Sequence, residues 1–483
     1  MKKLLLLSAI LSSGLYAASI DHIQTYSPDY LANQAQTGMI NGVSPYYNPA
    51  GLGRLEKGKY LHAGFQFAHG HEKMSYKGKE HKAKLNQAIP NVALTFVDDK
   101  GATFFNFGGI AGGGKLRYDG VSGVDVLTDL AQFKPLGIYD KGSSLTGSNK
   151  YEQITLGRAF NIDDKLSFSV AARVVHGTRR LNGNLNIGAN PTAQYKQEKA
   201  QQVAQEVSKA VDAATQGKGL SAAQIAAIKT KKTNEALAKL QQRVQDLNQN
   251  GLTGDIDSRR EAWGYGFQLG VNYKVNDKLN LAARYDSRIK MNFKAKGHEH
   301  QLETTDILKQ TIGLSTFYPQ YTINSKIRRD LPAILSVGAS YKVTDNYLVS
   351  TTANYYFNHQ AKMDRVTTFG EHEHGRDYKN GWEIAVGNEY KLNDKFTLIG
   401  SLNYANTGAK TASYNDTEYA LNSFTLGGGI RYQYDDSLAI TASVAHFIYQ
   451  GAEGNFKEKY GVTENQKYKK EITAVGLSIT KKF

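Results

Sequence analysis

The sequence contains no cysteine, which excludes disulfides and thiolate metal centres and suits a chain that passes through an oxidising periplasm. Proline is scarce, 8 residues in 483, so long strands are not interrupted by it. Beyond the N-terminus no segment approaches the roughly 20 consecutive apolar residues of a membrane-spanning helix, and the mean hydropathy is negative. No serine elbow, phosphate loop or thiol motif is present, so neither an enzyme nor a cofactor is expected.

What is abundant is tyrosine (30) and glycine (47), with a net charge of +15. Lys2 and Lys3 precede an apolar run from Leu4 to Leu11, and cleavage after Ala17 or Ala18 fits a signal peptidase. Residues 1–17 are therefore read as a removed signal peptide; the alternative is a short anchor helix. An exported chain directs its positive charge at anionic lipopolysaccharide rather than nucleic acid. If the mature chain enters a membrane, a closed barrel is the remaining route, because lipid cannot satisfy open backbone groups.

One turn signal recurs between alternating runs. It stands at Asp98-Asp99-Lys100-Gly101, Asp163-Asp164-Lys165, Asn276-Asp277-Lys278, Thr344-Asp345-Asn346, Asn393-Asp394-Lys395 and Asp435-Asp436-Ser437. Such residues hydrogen-bond locally, tolerate positive φ and close hairpins. Before Asn276, Trp263, Tyr265, Phe267, Leu269, Val271 and Tyr273 share a face, opposite Gly264, Gly266, Gln268, Gly270, Asn272 and Lys274. After it, Leu279, Leu281, Ala283, Tyr285, Ile289, Met291 and Phe293 are expected on the apolar face, with Arg284, Asp286, Arg288 and Lys290 on the polar one. Runs of this length exceed those of soluble sandwiches.

A first strand near Tyr60, a pair around each turn and a last strand near Lys469 to Phe483 make about fourteen. The reading is an all-β membrane protein, a transmembrane antiparallel barrel with short periplasmic turns and outer loops of about ten residues or more. Pro90 and Arg158 fit their strands least: Pro90 suits a bulge, and Arg158 can snorkel near the Asp163 turn. The insert 182–261 reads as helical and extracellular. Val203, Val207, Val211 and Ala214 form one stripe, Leu237, Leu240, Val244 and Leu247 another, and Ser221 with Gln224 a capping box. It is either a hairpin over the barrel mouth or a partner-binding helical pair.

The segment before the first strand contains Ser44-Pro45-Tyr46-Tyr47-Asn48-Pro49-Ala50-Gly51. Here the chain resembles the FadL/TodX family of outer-membrane transporters for long-chain fatty acids and other hydrophobic molecules. Trp263-Gly264-Tyr265-Gly266, Tyr285-Asp286-Ser287-Arg288-Ile289-Lys290 and Leu331-Pro332 extend the likeness over nearly the whole mature chain. The resemblance implies an N-terminal hatch, residues 18–58, plugging the barrel of residues 59–483. It also implies capture in an apolar lumen site and lateral release at a kink in the third strand, here Gly108, Gly109, Gly112 and Gly113. Ordinary barrel curvature is the other use for these glycines. Asn48, Pro49 and Ala50 are expected beside that strand.

The same resemblance puts ligand-carboxylate cations at Arg179 or Arg180 and at Lys362; each is equally readable as a solvated loop charge. Leu314 and Phe317, near Ile312 and Tyr318, are candidate groove residues. Glu371-His372-Glu373-His374 reads as a solvated loop rather than a metal site. Phe483, with Val475, Leu477 and Ile479, resembles the terminal signal of the barrel-assembly machinery, from which Lys481 departs. Expected partners are a long-chain fatty acid or other hydrophobic ligand, lipopolysaccharide and outer-membrane lipid, around a monomer. A diffusion porin and a surface adhesin or receptor using the helical insert are the competing functions.

Overall fold

The computed structural model describes residues 26–483, apart from 121, 132–133, 297–300, 303–311, 314–323, 363–364, 367–371, 374–377, 412–413 and 415–418. The expected signal peptide, Leu314, Phe317, Tyr318, Glu371 and His374 fall outside the described residues.

The alternating runs pair as fourteen antiparallel staves. They are β1 (Gly58–Tyr76), β2 (Lys79–Asp98), β3 (Gly101–Tyr118), β4 (Ser144–Asn161), β5 (Leu166–Ala189), β6 (Leu252–Lys274) and β7 (Leu279–Asp286, resumed at Asn292–Lys296). The remainder are β8 (Lys326–Arg328, resumed at Ile334–Thr344), β9 (Tyr347–Tyr356), β10 (Gly381–Lys391), β11 (Phe396–Asn406), β12 (Ser423–Asp435), β13 (Leu438–Tyr449) and β14 (Lys467–Lys482). Pairing of β1 with β14, from Tyr60↔Lys482 to Ser75↔Lys467, closes the barrel and leaves no free edge.

All six turn signals close hairpins, four of them by one device. Asp163, Asn276, Asn393 and Asp435 each accept, through one side-chain oxygen, the N–H groups two and three residues on, at 2.7–3.0 Å. Those donors hold the Asp163 carboxyl below the usual carboxylate range, the Leu166 N–H foremost. On β6 the face from Trp263 to Tyr273 points outward and its partner face is largely buried, as the alternation requires.

Three expectations need correction. The β1–β2 connection is not long: Lys77 and Gly78 suffice, at φ 48 and 79, because both strands run far beyond the barrel rim. The β5–β6 ladder likewise continues to Ile187↔Leu252, well inside the expected insert, so the helices are confined to α3 (Ala193–Thr215) and α4 (Ala222–Asn250). The third concerns β7. Asp286 and Ser287 are both buried, which shifts the alternation by one residue and reverses every later side chain. Ile289, Met291 and Phe293 therefore face inward, while Lys290 faces out. Both β7 and β8 are interrupted here, and the Ile289↔Leu331 bridge spans the gap.

The capping box at Ser221 and Gln224 is present, and the two helices pack along their apolar stripes. Among the described residues the hairpin packs onto the barrel at its base, against β5 and the turn Lys134–Leu136. Arg158 pairs with Asp98, at the neighbouring tight turn, at 2.8 Å.

Candidate functional site

An irregular segment can be buried only if its peptide groups find partners. From Tyr26 to Leu52 nearly every residue is buried, in α1 (Pro28–Ala32), α2 (Ser44–Tyr47) and the turn Pro49–Arg54. Inward side chains around the wall supply those partners. Ser401 of β11 donates to the Ala32 carbonyl and Ser340 of β8 to Gly38, both at 2.8 Å; Asn106 of β3 donates to Pro45 at 2.8 Å, and Ser478 of β14 to the Asp29 carboxylate at 2.7 Å. The segment thus lies within the barrel and reaches opposite walls.

The hydrogen bonds of Asn48-Pro49-Ala50 go to strands other than the third, although the turn Pro49–Arg54 also meets β3. Asn48 donates to Asn272 of β6 at 2.8 Å, and the Ala50 carbonyl accepts from Ser167 of β5 at 2.7 Å. Tyr46 reaches β3 instead. Its hydroxyl lies 2.7 Å from the Val92 carbonyl of β2 and 3.0 Å from that of Phe107 on β3, and gives its one proton to either. Arg284, itself 3.2 Å from Asp286, donates to the Tyr46 carbonyl.

The Tyr46 hydroxyl marks the lower limit of a break in the wall. Ladder pairing of β2 with β3 runs to Asn91↔Gly108, stops, and resumes at Leu85↔Leu116. Residues 86–90 and 109–115 have no partners across this interface, and β3 bulges twice against β4 over the same stretch. Pro90, which lacks an N–H, stands at the break. Gly112 (φ 120) requires glycine, since a Cβ there would sit 2.3 Å from the Asn149 carbonyl oxygen; Gly114, at φ 70, is the second left-handed position. Gly108 and Gly109 have ordinary φ; Gly108 has room for a Cβ, and one at Gly109 would press on Ile89 Cγ2 at 3.2 Å, so backbone conformation demands glycine at neither. Gly113 lies between the two positions where it does.

Replacing Tyr46 by Phe is expected to loosen this limit. A lost buried hydrogen bond of about 1–3 kcal/mol corresponds to at least about fivefold faster amide exchange. Exchange should quicken at Asn91 and Gly108, with β12 unchanged. Unaltered protection at both amides would remove Tyr46 from this role.

A cavity of about 110 Å³ opens beside the break. Leu85, Ile89, Phe107, Ile110, Phe447 and Ile472 give it an apolar wall, with Gln66, Gln87 and Asn149 at polar points. Its charged groups are Glu72, Glu152, Lys150 and Lys470. Glu72 and Lys470 stand directly opposite on β1 and β14, both buried, with Nζ 2.8 Å from Oε1. Tyr118 donates to the other Glu72 oxygen at 2.9 Å, and the Lys470 ammonium lies 5.2 Å from the Tyr449 ring centre. Lys150 and Glu152 pair with each other nearer the surface.

Below and across from the cavity, Tyr26, Tyr46 and Tyr47 pack with Ile110 and Tyr151 and with the inward turn of β7 at Ile289, Met291 and Phe293. Arg179 is buried here, 5.8 Å over the Phe293 ring. Arg180 is exposed, and so is Lys362, whose N–H bonds Asp330. None of these three cations lines the cavity. Sequence reasoning missed Glu72, Lys470 and Ile89. The first two alternate correctly on inward faces, but only register sets them opposite. No group of three or more metal-ligating residues occurs among the described residues.

Curated relatives are distant. The chain is 26% identical over 232 residues to the 47 kDa outer membrane protein of Pasteurella multocida, covering 46% of this chain and 51% of that one. It is 20% identical over 198 residues to the long-chain fatty acid transport protein of Salmonella typhi, covering 40% and 45%. The chain thus spans about half the length of the curated relatives it matches. Among solved structures, a Pseudomonas aeruginosa FadL homologue superposes with TM-score 0.62 at 14% identity, over 95% of this chain and 98% of that one. The Pseudomonas putida toluene transporter TodX superposes at 0.60 with 16% identity, over 92% and 95%. These likenesses establish the fold. The sequence family described as outer membrane protein transport protein (OMPP1/FadL/TodX) matches residues 31–483, and the chain, a barrel of the bacterial outer membrane, belongs to it.

Proposed function

We propose that this protein takes up hydrophobic molecules across the outer membrane, holding them in the cavity beside β3 and releasing them sideways between β2 and β3 into lipid. The observation that carries the reading is the unpaired stretch 86–90 against 109–115, which adjoins an apolar cavity. An apolar cargo gains nothing from a water-filled channel and loses little on passing from such a cavity into hydrocarbon. In this reading the N-terminal segment is the hatch that bars a straight path, which disfavours an open porin.

Relatives with a named cargo divide between toluene or monoaromatic hydrocarbons and long-chain fatty acids. A cavity of about 110 Å³ is close to the roughly 150 Å³ apolar void that accepts benzene. Its buried cation already faces Glu72. Both features favour a small uncharged cargo; a fatty acid needs the cavity to widen and a cation such as Arg179 or Lys470 to turn to its carboxylate. Lys362 and Arg180 serve only at an outer capture step.

Purified protein in planar bilayers should show no steady ohmic conductance, while cells expressing it take up labelled toluene several-fold faster than cells without it. An open, toluene-independent pore would sink the proposal and favour the porin.

A further inference from the structure

Like charges set directly opposite on neighbouring strands repel, and folded sheets ordinarily avoid them. The outward face of the wall formed by β14, β1, β2 and β3 breaks this rule three times. Lys73 of β1 stands opposite Lys82 of β2 and also opposite Lys469 of β14; Lys84 of β2 stands opposite Arg117 of β3. Lys115 follows on the same exposed face of β3.

The neighbouring carboxylates do not cancel this charge. Glu80 is shared by Lys73 (3.5 Å) and Lys82 (3.1 Å), and Glu471 lies beside His71 and His446. Asp119 accepts from the Lys82 backbone, and Asp125 and Asp129 are taken by Lys79, His81 and Lys77. Among the described residues no carboxylate pairs with Lys84, Lys115, Arg117 or Lys469. A sequence that breaks a local rule repeatedly in one place, with no internal compensation, marks a site where something else supplies the counter-charge.

Height identifies the partner. On β1 the outward face carries Phe65 and Phe67, both exposed, in the apolar belt. Lys84 is level with His71, four residues beyond Phe67. At about 3.3 Å per residue and a barrel tilt of 35–45°, that is roughly 10 Å further out, in the headgroup layer. We infer that this wall binds the phosphorylated headgroup of outer-leaflet lipopolysaccharide, its phosphates seated between Lys84 and Arg117 and between Lys73, Lys82 and Lys469. The Lys84–Arg117 pair adjoins Leu85↔Leu116, where the β2–β3 ladder resumes, so the bound lipid stands directly above the break.

The test is native mass spectrometry of the full barrel in detergent, titrated with diphosphoryl lipid A, the same lipid with both phosphates removed, or phosphatidylglycerol. Wild type should retain diphosphoryl lipid A at least about tenfold more tightly than either alternative. Lys84→Gln with Arg117→Gln should abolish that preference, Lys84→Arg with Arg117→Lys should keep most of it, and Lys196→Gln with Lys218→Gln on the helical hairpin should leave it intact. Neutralising Lys84 relieves repulsion, so the lipid-free Tm should stay equal or rise, separating lost binding from lost folding. Equal retention of phosphorylated and dephosphorylated lipid, equal loss in the hairpin variant, or phosphatidylglycerol binding as tightly as lipid A would each overturn the inference.

Discussion

Oxidation of a cysteine pair placed at Ile89 and Gly109 is expected to stop cargo transfer while leaving the barrel intact. A Cβ at Gly109 would lie 3.2 Å from Cγ2 of Ile89, which brings the two Cβ atoms within the reach of a disulfide. Gly109 has an ordinary φ and can take a side chain, and the absence of native cysteine makes the pair unambiguous. The bond would tie β2 to β3 across the stretch where their ladder is missing. Uptake of labelled toluene should fall at least about tenfold on oxidation, a barrier increase of about 1.4 kcal/mol or more, and recover with reductant. Cysteines at Phe96 and Thr103, opposite one another in the intact ladder, should crosslink without effect. Full crosslinking at Ile89 and Gly109 with undiminished uptake would place the exit elsewhere.

The second large effect concerns cargo charge. Glu72 and Lys470 neutralise each other in the cavity wall, so wild type should bind a neutral ester at least as well as the matching carboxylate. Glu72→Gln keeps the shape but removes the carboxylate 2.8 Å from the Lys470 ammonium, which adds net positive charge to a buried wall where truncating one member of a charge pair is costly. An anionic cargo then takes the place of Glu72. The acid-to-ester affinity ratio, measured by isothermal titration with oleate and methyl oleate in detergent, should rise by about tenfold or more, or about 1.4 kcal/mol. Adding Lys470→Met should cancel the gain. If wild type already prefers oleate and loses it on Arg179→Ala, the carboxylate reading holds and the cavity is not its site.

The strand plan was legible because its signals are local. An Asp or Asn that accepts two N–H groups within three residues closes a hairpin wherever it occurs, as at Asp163 and Asn276. A face such as Trp263 to Tyr273 announces lipid on one side without reference to any other strand. The capping box at Ser221 is equally self-contained. Family resemblance implied a kink in the third strand; the structure shows that its ladder with β2 stops between Asn91↔Gly108 and Leu85↔Leu116. Of the four glycines read there, Gly112 has a positive φ and Gly108 and Gly109 do not, while Gly114, outside that set, is the second left-handed position.

The site was less legible because it depends on register. Glu72 and Lys470 are almost four hundred positions apart, and one residue of slip would move both faces. Such a slip does occur at Asp286 and Ser287, where it turns Ile289, Met291 and Phe293 from expected lipid contacts into lumen packing. Likewise, nothing within Asn48-Pro49-Ala50 says which wall it meets; Asn272 and Ser167 decide that, and Tyr46 takes the third strand. By itself the sequence determined the barrel, its tight turns, the presence of a helical insert and the outward faces other than that of β7 beyond Asp286, since period and turn chemistry act over a few residues. The extent of the break beside β3, the charge pair in the cavity and the cationic outer wall were decided by tertiary structure, because each arises from which distant residues closure of the barrel sets side by side.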